Sequence, residues 1–233
     1  GIYSSGTIFI NTKENIVIDN VIFENLTNRL SIFEQPASIT FYETNSIKIT
    51  NSTFSNNLNG DDFLNFFRCN NISIKSSFFN NILNDAIDSD FSDLNISNTT
   101  FDIIGNDAID GSGSNLIIDQ CKFSNVSDKA ISAGEKSIVE VNNSLFMNNE
   151  IAVVSKDASK MLLKDLNFID NNIDFSSFIK KNYFGPSETT FQNTNVDKYL
   201  IENNSKIFGK DSILFTTNVE SKLYGNFYGR ASQ

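Results

Sequence analysis

One short phrase, written three times at a fixed interval, constrains this chain more than any other feature. Asn84-Asp85-Ala86-Ile87-Asp88 returns as Asn106-Asp107-Ala108-Ile109-Asp110, then as Ser127-Asp128-Lys129-Ala130-Ile131-Ser132, with the Ala-Ile pair 22 residues further on each time. A second marker, an aliphatic residue followed five positions later by Phe, occurs at Ile18/Phe23, Ile49/Phe54, Ile74/Phe79, Ile96/Phe101, Ile118/Phe123, Val141/Phe146 and Leu163/Phe168. The intervals between these Phe residues are 31, 25, 22, 22, 23 and 22. Self-similarity at about 20 to 50 residues means a solenoid, a propeller or an array.

The residues inside one period choose among these. Runs such as Ser46-Ile47-Lys48-Ile49-Thr50 and Asn71-Ile72-Ser73-Ile74-Lys75 alternate with period two, which is the strand signal. No window sustains apolar residues at helical spacing. Asn, Ser and Asp gather between the runs, as turns require. A propeller blade needs about 40 residues, and the Leu-x-x-Leu-x-Leu pattern of a leucine-rich repeat is absent. Two or three short strands per turn, stacked at about 4.8 Å, put equal positions directly above one another. The expected fold is therefore all-β: a parallel β-helix of about 22-residue coils, each touching only its neighbours. It is expected to form a single domain over residues 1–233. Regular coils span about 46–175, and an irregular or capping region spans about 176–233. The long first interval leaves room for a loop near Arg29 to Ala37, which includes Pro36.

Composition fits a narrow core. The hydrophobic fraction is 39%, below the usual range of about 45–50%. The 22 Phe are expected as core stacks rather than as an aromatic binding strip. The net charge of −10 argues against nucleic-acid binding, which needs a basic surface. The absence of His removes His-based catalysis and His metal ligands. Cys69 and Cys121 fall at different places in the repeat and are expected to be buried and unpaired. No run of 18 apolar residues occurs, so no membrane-spanning helix is expected. No leader segment is visible, and the chain starts at Gly1 rather than Met. Asn-x-Ser/Thr recurs at Asn25, Asn51, Asn71, Asn95, Asn98 and Asn125, read as turn or stacking Asn rather than as glycan acceptors.

The repeat also stacks acids. Asp85 and Asp107 hold one position, followed by Lys129; Asp88 and Asp110 hold another, followed by Ser132. Asp90 and Glu135 add further acids nearby. Asp61 and Asp62 lie in the matching turn one coil earlier. Like charges this close raise one another's pKa unless compensated. Lys129 could pair with Asp107, turn N–H groups could bond the carboxylates, or Ca²⁺ could bind Asp85, Asp88, Asp107 and Asp110. Three readings stay open: Asp residues that cap a repeated corner, a hard-cation site, and a catalytic carboxylate pair such as a glycosidase uses. The surroundings expected of a sugar site are sparse, with no Trp and only Arg29, Arg68 and Arg230 as arginines.

The 22-residue coils, Asn-rich turns and Phe/Ile stacks resemble the pectate-lyase-like right-handed parallel β-helix superfamily, over about residues 10–175. That resemblance implies a right-handed coil. It does not fix activity, because the superfamily spans lyases, glycoside hydrolases, epimerases, phage tailspikes and non-catalytic surface proteins. Its lyases use acidic Ca²⁺ ligands and a basic residue, for which Asp88 and Asp110 with Lys129 are the matching positions; the expected Arg is missing there. Its polygalacturonases carry Asn-x-Asp, Asp-Asp, Gly-His-Gly and Arg-x-Lys motifs, of which only Asp61-Asp62 has a counterpart. The expected function is a secreted or cell-surface module that binds polysaccharide or another cell-surface partner, or serves a structural role. The alternative is a Ca²⁺-dependent polysaccharide lyase or epimerase using Asp88, Asp110 and Lys129. Homo-oligomerisation is a further expectation, as in the tailspikes.

Overall fold

The computed structural model describes residues 8–27, 37–57 and 59–224. The loop expected around Pro36, and the residues Arg29 and Arg230, lie outside the described residues.

The described chain winds through three parallel sheets. The first contains Ile8–Ile10, Ile39–Tyr42, Asp62–Phe67, Asp85–Asp90, Ile109–Ser112, Lys129–Gly134, Ile151–Lys156, Ile173–Phe178, Tyr199–Glu202 and Phe215–Thr216, hydrogen-bonded in that order. The second runs in nine strands from Ile16–Asp19 to Lys206–Phe208, and the third in seven from Ile22–Glu24 to Asn167–Ile169. Each regular coil up to Asn167–Ile169 gives one strand to each sheet: Asp85–Asp90, Asp93–Ser97 and Thr100–Ile104, then Ile109–Ser112, Asn115–Asp119 and Lys122–Val126. This is the parallel β-helix that the repeat demands.

Register follows the markers. Ile96 pairs with Ile118, and Phe101 with Phe123. The rings of Phe54, Phe79, Phe101, Phe123 and Phe146 stack with centroids 4.7 to 4.9 Å apart. Each buries fully, worth about 1.5–3 kcal/mol per ring. Offset contact between rings adds roughly 0.5–1.5 kcal/mol per pair. The column stops at Phe168. Phe191, 23 residues on, pairs instead with Leu163 in the second sheet. The coil is longer here because residues 179–187 form a turn-rich excursion.

The corners explain the polar composition. Asn20, Asn51, Asn98 and Asn143 recur at the corner between the second and third sheets, all with φ between 48 and 57°. Asn25, Asn56, Asn81, Asn125 and Asn148 do the same after third-sheet strands or within them. The left-handed region costs Asn little. Of the six Asn-x-Ser/Thr positions named above, Asn95 alone lies on an exposed strand without positive φ.

A second corner device is a ladder of small hydroxyls. The N–H groups of Cys69, Ser92 and Ser114 donate to the Oγ of Ser92, Ser114 and Ser137, one coil further along, at 2.9 to 3.1 Å. Cys69 occupies a rung, its Sγ accepting from the Thr44 N–H at 3.4 Å. Cys121 holds a rung at the next corner, where its N–H donates to Ser144 Oγ. Both cysteines are buried and free, as expected.

Beyond the regular coils, the last element among the described residues is the short helix Val219–Tyr224. Val219 and Leu223 cover Ile151, Val154 and Phe178 on the outside of the first sheet. Among the described residues no helix is long and apolar enough to cross a membrane.

Candidate functional site

The outer face of the first sheet carries the acidic ladder. Register puts Asp62 beside Asp85 and, two columns on, Asn65, Asp88, Asp110 and Ser132 in a row. Asp62 thus extends the Asp85 column, whereas the Asp88 column begins with Asn65. Asp85 Oδ1 accepts from the Asp107 N–H at 2.7 Å and from Asn106 Nδ2 at 2.6 Å. Asp107 Oδ1 accepts from the Lys129 N–H at 3.1 Å and lies 3.0 Å from its Nζ. Two of the compensations open to the sequence, the Lys129 pair and the turn N–H bonds, are therefore both present.

Burial and like charge set the protonation of the ladder. Burial, reinforced by neighbouring acids, holds the Asp62, Asp85 and Asp88 carboxyls well above the ordinary range. Asp90 is raised by burial, then by Asp110 and Glu135. Burial lifts Asp107 to about 6 although Lys129 opposes it. Asp110 goes the other way. Burial works to raise it, but Lys156 and Lys129, with the Ser132 hydroxyl, outweigh that and hold it below the ordinary value. Lys156 Nζ lies 3.8 Å from Asp110 and donates to Ser132 Oγ at 2.8 Å. Two carboxyls on adjacent strands of one column, Asp88 and Asp110, are thus pushed in opposite directions.

Lys129 is sequestered. Its ammonium is held by Asp107 and Asp128, and its side chain is only 9% exposed. Two carboxylates thus occupy the ammonium at the position where the lyase resemblance implies a proton acceptor. The residues present also do not fit a Ca²⁺ site. Asp85 and Asp107 spend Oδ1 on N–H donors, and among the described residues no three Asp, Glu or Cys side chains are arranged to hold a metal ion.

Aromatic side chains flank the acids, which the sequence reading did not anticipate. Tyr42 pairs with Phe67, their rings stacked at 5.3 Å, and Phe67 pairs in turn with Asp90. Phe91 meets Phe67 edge-on at 6.3 Å and is 52% exposed. Arg68 lies over the Phe67 ring at 5.1 Å, and its N–H donates to the Asp90 carbonyl. Its guanidinium pairs with Glu43, and the bond to Asp90 is made by the backbone alone. The signal for this strip was available: Phe67 and Phe91 fall between the core markers Phe54, Phe79 and Phe101 rather than on them. The face ends towards the C-terminus where Ser132 is followed in register by Val154, under the terminal helix. At that end residues 179–187 fold back, with the Lys180 and Lys181 N–H groups on Asp157 Oδ1 and Lys181 paired to Glu135.

A separate open cavity of ≈ 730 Å³ lies along the corner after the third sheet, lined by residues that include Asn125, Asn149, Asn171 and Lys198. Its amides largely satisfy one another, as in the 3.0 Å bond from Asn149 Nδ2 to Asn171 Oδ1. It carries no exposed ring and no ladder of acids.

No protein-family model and no curated protein matches the chain. Among solved structures it is similar to a Yersinia enterocolitica family 28 exopolygalacturonase, at 14% identity and a TM-score of 0.44, over 73% of this chain and 37% of that one. It is also similar to the catalytic domain of a GH87 alpha-1,3-glucanase in complex with tetrasaccharides, at 11% identity and a TM-score of 0.37, over 91% of this chain and 61% of that one. The chain spans less than two thirds of the length of either, and neither likeness assigns chemistry to it.

Proposed function

We propose that the outer face of the first sheet binds a polysaccharide. One observation carries this: the half-buried, stacked rings of Tyr42 and Phe67 lie in one register column with Asp90, the exposed ring of Phe91 meets Phe67 edge-on, and Asp88 and Asp110 hold a neighbouring column. Sugar rings present an apolar C–H face and a rim of hydroxyl donors. The aromatic strip suits the first and the carboxylates the second. Isothermal titration against a panel of oligosaccharides tests the reading. Phe67→Ala is expected to weaken binding at least about tenfold, equivalent to roughly 1.4 kcal/mol. Unchanged binding by that variant, or no binding by the parent chain, sinks the proposal.

The opposite pKa directions of Asp88, raised, and Asp110, lowered, favour a second reading, hydrolysis of a glycosidic bond at this face. Adjacent strands stand about 4.8 Å apart, close to the roughly 5–5.5 Å between carboxyls in retaining glycosidases. Asp88, protonated, would donate to the leaving oxygen. Asp110, ionised beside Lys156, would attack or stabilise the sugar carbon. Release of reducing ends that survives both Asp88→Asn and Asp110→Asn rules it out, as does no release from any glycan the face binds.

A further inference from the structure

Three buried acceptors of the ladder lack a hydrogen-bond partner, as does the hydroxyl of Thr40 beside Asn65, which can donate or accept. Asn65 is 1% exposed; its Nδ2 donates to Asp88 Oδ2 at 2.9 Å, while its Oδ1 is buried without a partner. The Oδ1 atoms of Asn106 and Asp110 are likewise buried without a hydrogen bond. All three are acceptors in the ladder itself. A carboxyl adds acceptors when ionised and one donor when protonated.

Charge points the same way. Lys129 is held by Asp107 and Asp128, and Lys156 by Ser132 and Asp110. Among the described residues no ion pair reaches Asp88 or Asp90. Burial, then neighbouring acids, holds both carboxyls above the ordinary range, and an ammonium brought beside them favours their ionised forms.

We infer that the ligand of this face is a cationic saccharide whose rings carry protonated amines, an inference that rests on the polysaccharide-binding reading of the same face. Phe67 and Asp90 are register partners, so a sugar stacked on the ring of Phe67 has its substituents beside the Asp90 carboxylate. An ammonium there supplies both the missing donor and the missing charge. A uronate would bring a third carboxylate to the same place, and the like charges would repel.

The test compares three oligosaccharides of equal length by calorimetry at pH 6 and low salt. They are a glucosamine oligomer, its fully N-acetylated counterpart and an oligogalacturonate. The amine form is expected to bind about tenfold more tightly than the acetylated form, the factor that two partly screened charge pairs supply. The oligogalacturonate is expected not to bind. Asp88→Asn combined with Asp90→Asn is expected to erase the difference, with the fold confirmed by circular dichroism. Equal binding of the amine and acetylated forms overturns the cationic preference and leaves the polysaccharide reading standing. Binding of none of the three, nor of any neutral glycan, overturns both. Oligolysine provides the remaining control. If it binds as well as the amine sugar and Phe67→Ala weakens neither, the face attracts polycations without recognising sugars, and the inference falls.

Discussion

Phe91 shows at the residue scale how function and stability separate on this surface. It sits at a corner whose backbone turns left-handed in coil after coil: Glu43, Arg68, Phe91, Gly113 and Glu135 have φ of 48, 52, 51, 62 and 57°. Gly and Asn accept that conformation readily, whereas a bulky ring there is an outlier that costs on the order of 1 kcal/mol. Burial returns little, since half the side chain is exposed. The ring does lie against Gly113, where a Cβ would meet Phe91 Cδ1 at 2.7 Å, and edge-on to Phe67. Phe91→Asn relieves the backbone and loses that contact, so stability is expected to stay within about 1 kcal/mol of the parent. Saccharide binding is expected to fall several-fold. Thermal unfolding and titration of the one variant check both halves. A large loss of stability with binding intact makes the ring a packing residue. The acids of the ladder were legible because Asp85 and Asp107, or Asp88 and Asp110, hold equal places in a repeated phrase. Phe67 and Phe91 declared themselves only by falling between the core markers, and Tyr42 over Phe67 is a single pair, too short to read as a repeat.

The corner ladders are the feature of the elements that periodicity left unread. Strands declare themselves through alternation, and Ile96 over Ile118 or Phe101 over Phe123 needs only counting. A rung such as Ser92 or Ser114 lies between strands, in a chain rich in Ser, so its recurrence is masked by composition. Its role is nonetheless demanding. Ser114 Oγ accepts from the Ser92 N–H at 3.0 Å and donates to the Ser89 carbonyl at 2.7 Å, all of it buried. Ser114→Ala orphans both groups and is expected to cost about 1–3 kcal/mol. That lowers the unfolding midpoint by roughly 2–4 °C per kcal/mol in a chain of this size. Cys69→Ser places a hydroxyl on a rung already used by hydroxyls above it, and is expected to leave the midpoint nearly unchanged. Guanidinium melts of the two variants decide the point. Equal destabilisation by both would mean that side-chain volume, not the rung hydrogen bond, holds the corner.

At the scale of the whole molecule the repeat that builds the fold also concentrates charge. Stacking makes every position a column, so an acid in the phrase becomes a stack of acids along one side of a chain with net charge −10. Folding brings these groups together against burial and against one another, which gives stability a definite pH dependence. Asp62, Asp85, Asp88 and Asp90 have raised values, and Asp107 lies at about 6 against an ordinary 3.8. A carboxyl whose folded pKa is raised binds protons more tightly when folded. Its contribution is present at low pH and is lost as pH rises through the folded value. Asp110, held low, works in reverse but only in the acid range below about 4. The unfolding midpoint is therefore expected to fall between pH 5 and pH 8, opposite to a chain whose acids are mostly salt-bridged. Asp85→Asn separates this from other causes. An amide oxygen can still accept from Asn106 and from the Asp107 N–H, so the geometry survives while one buried charge is removed. Differential scanning calorimetry across that range should show the variant more stable than the parent at pH 8 and with a shallower slope. A parent midpoint that is flat or rises from pH 5 to pH 8 would mean the ladder is neutralised by something other than protons, and the protonation argued for Asp88 would fall with it.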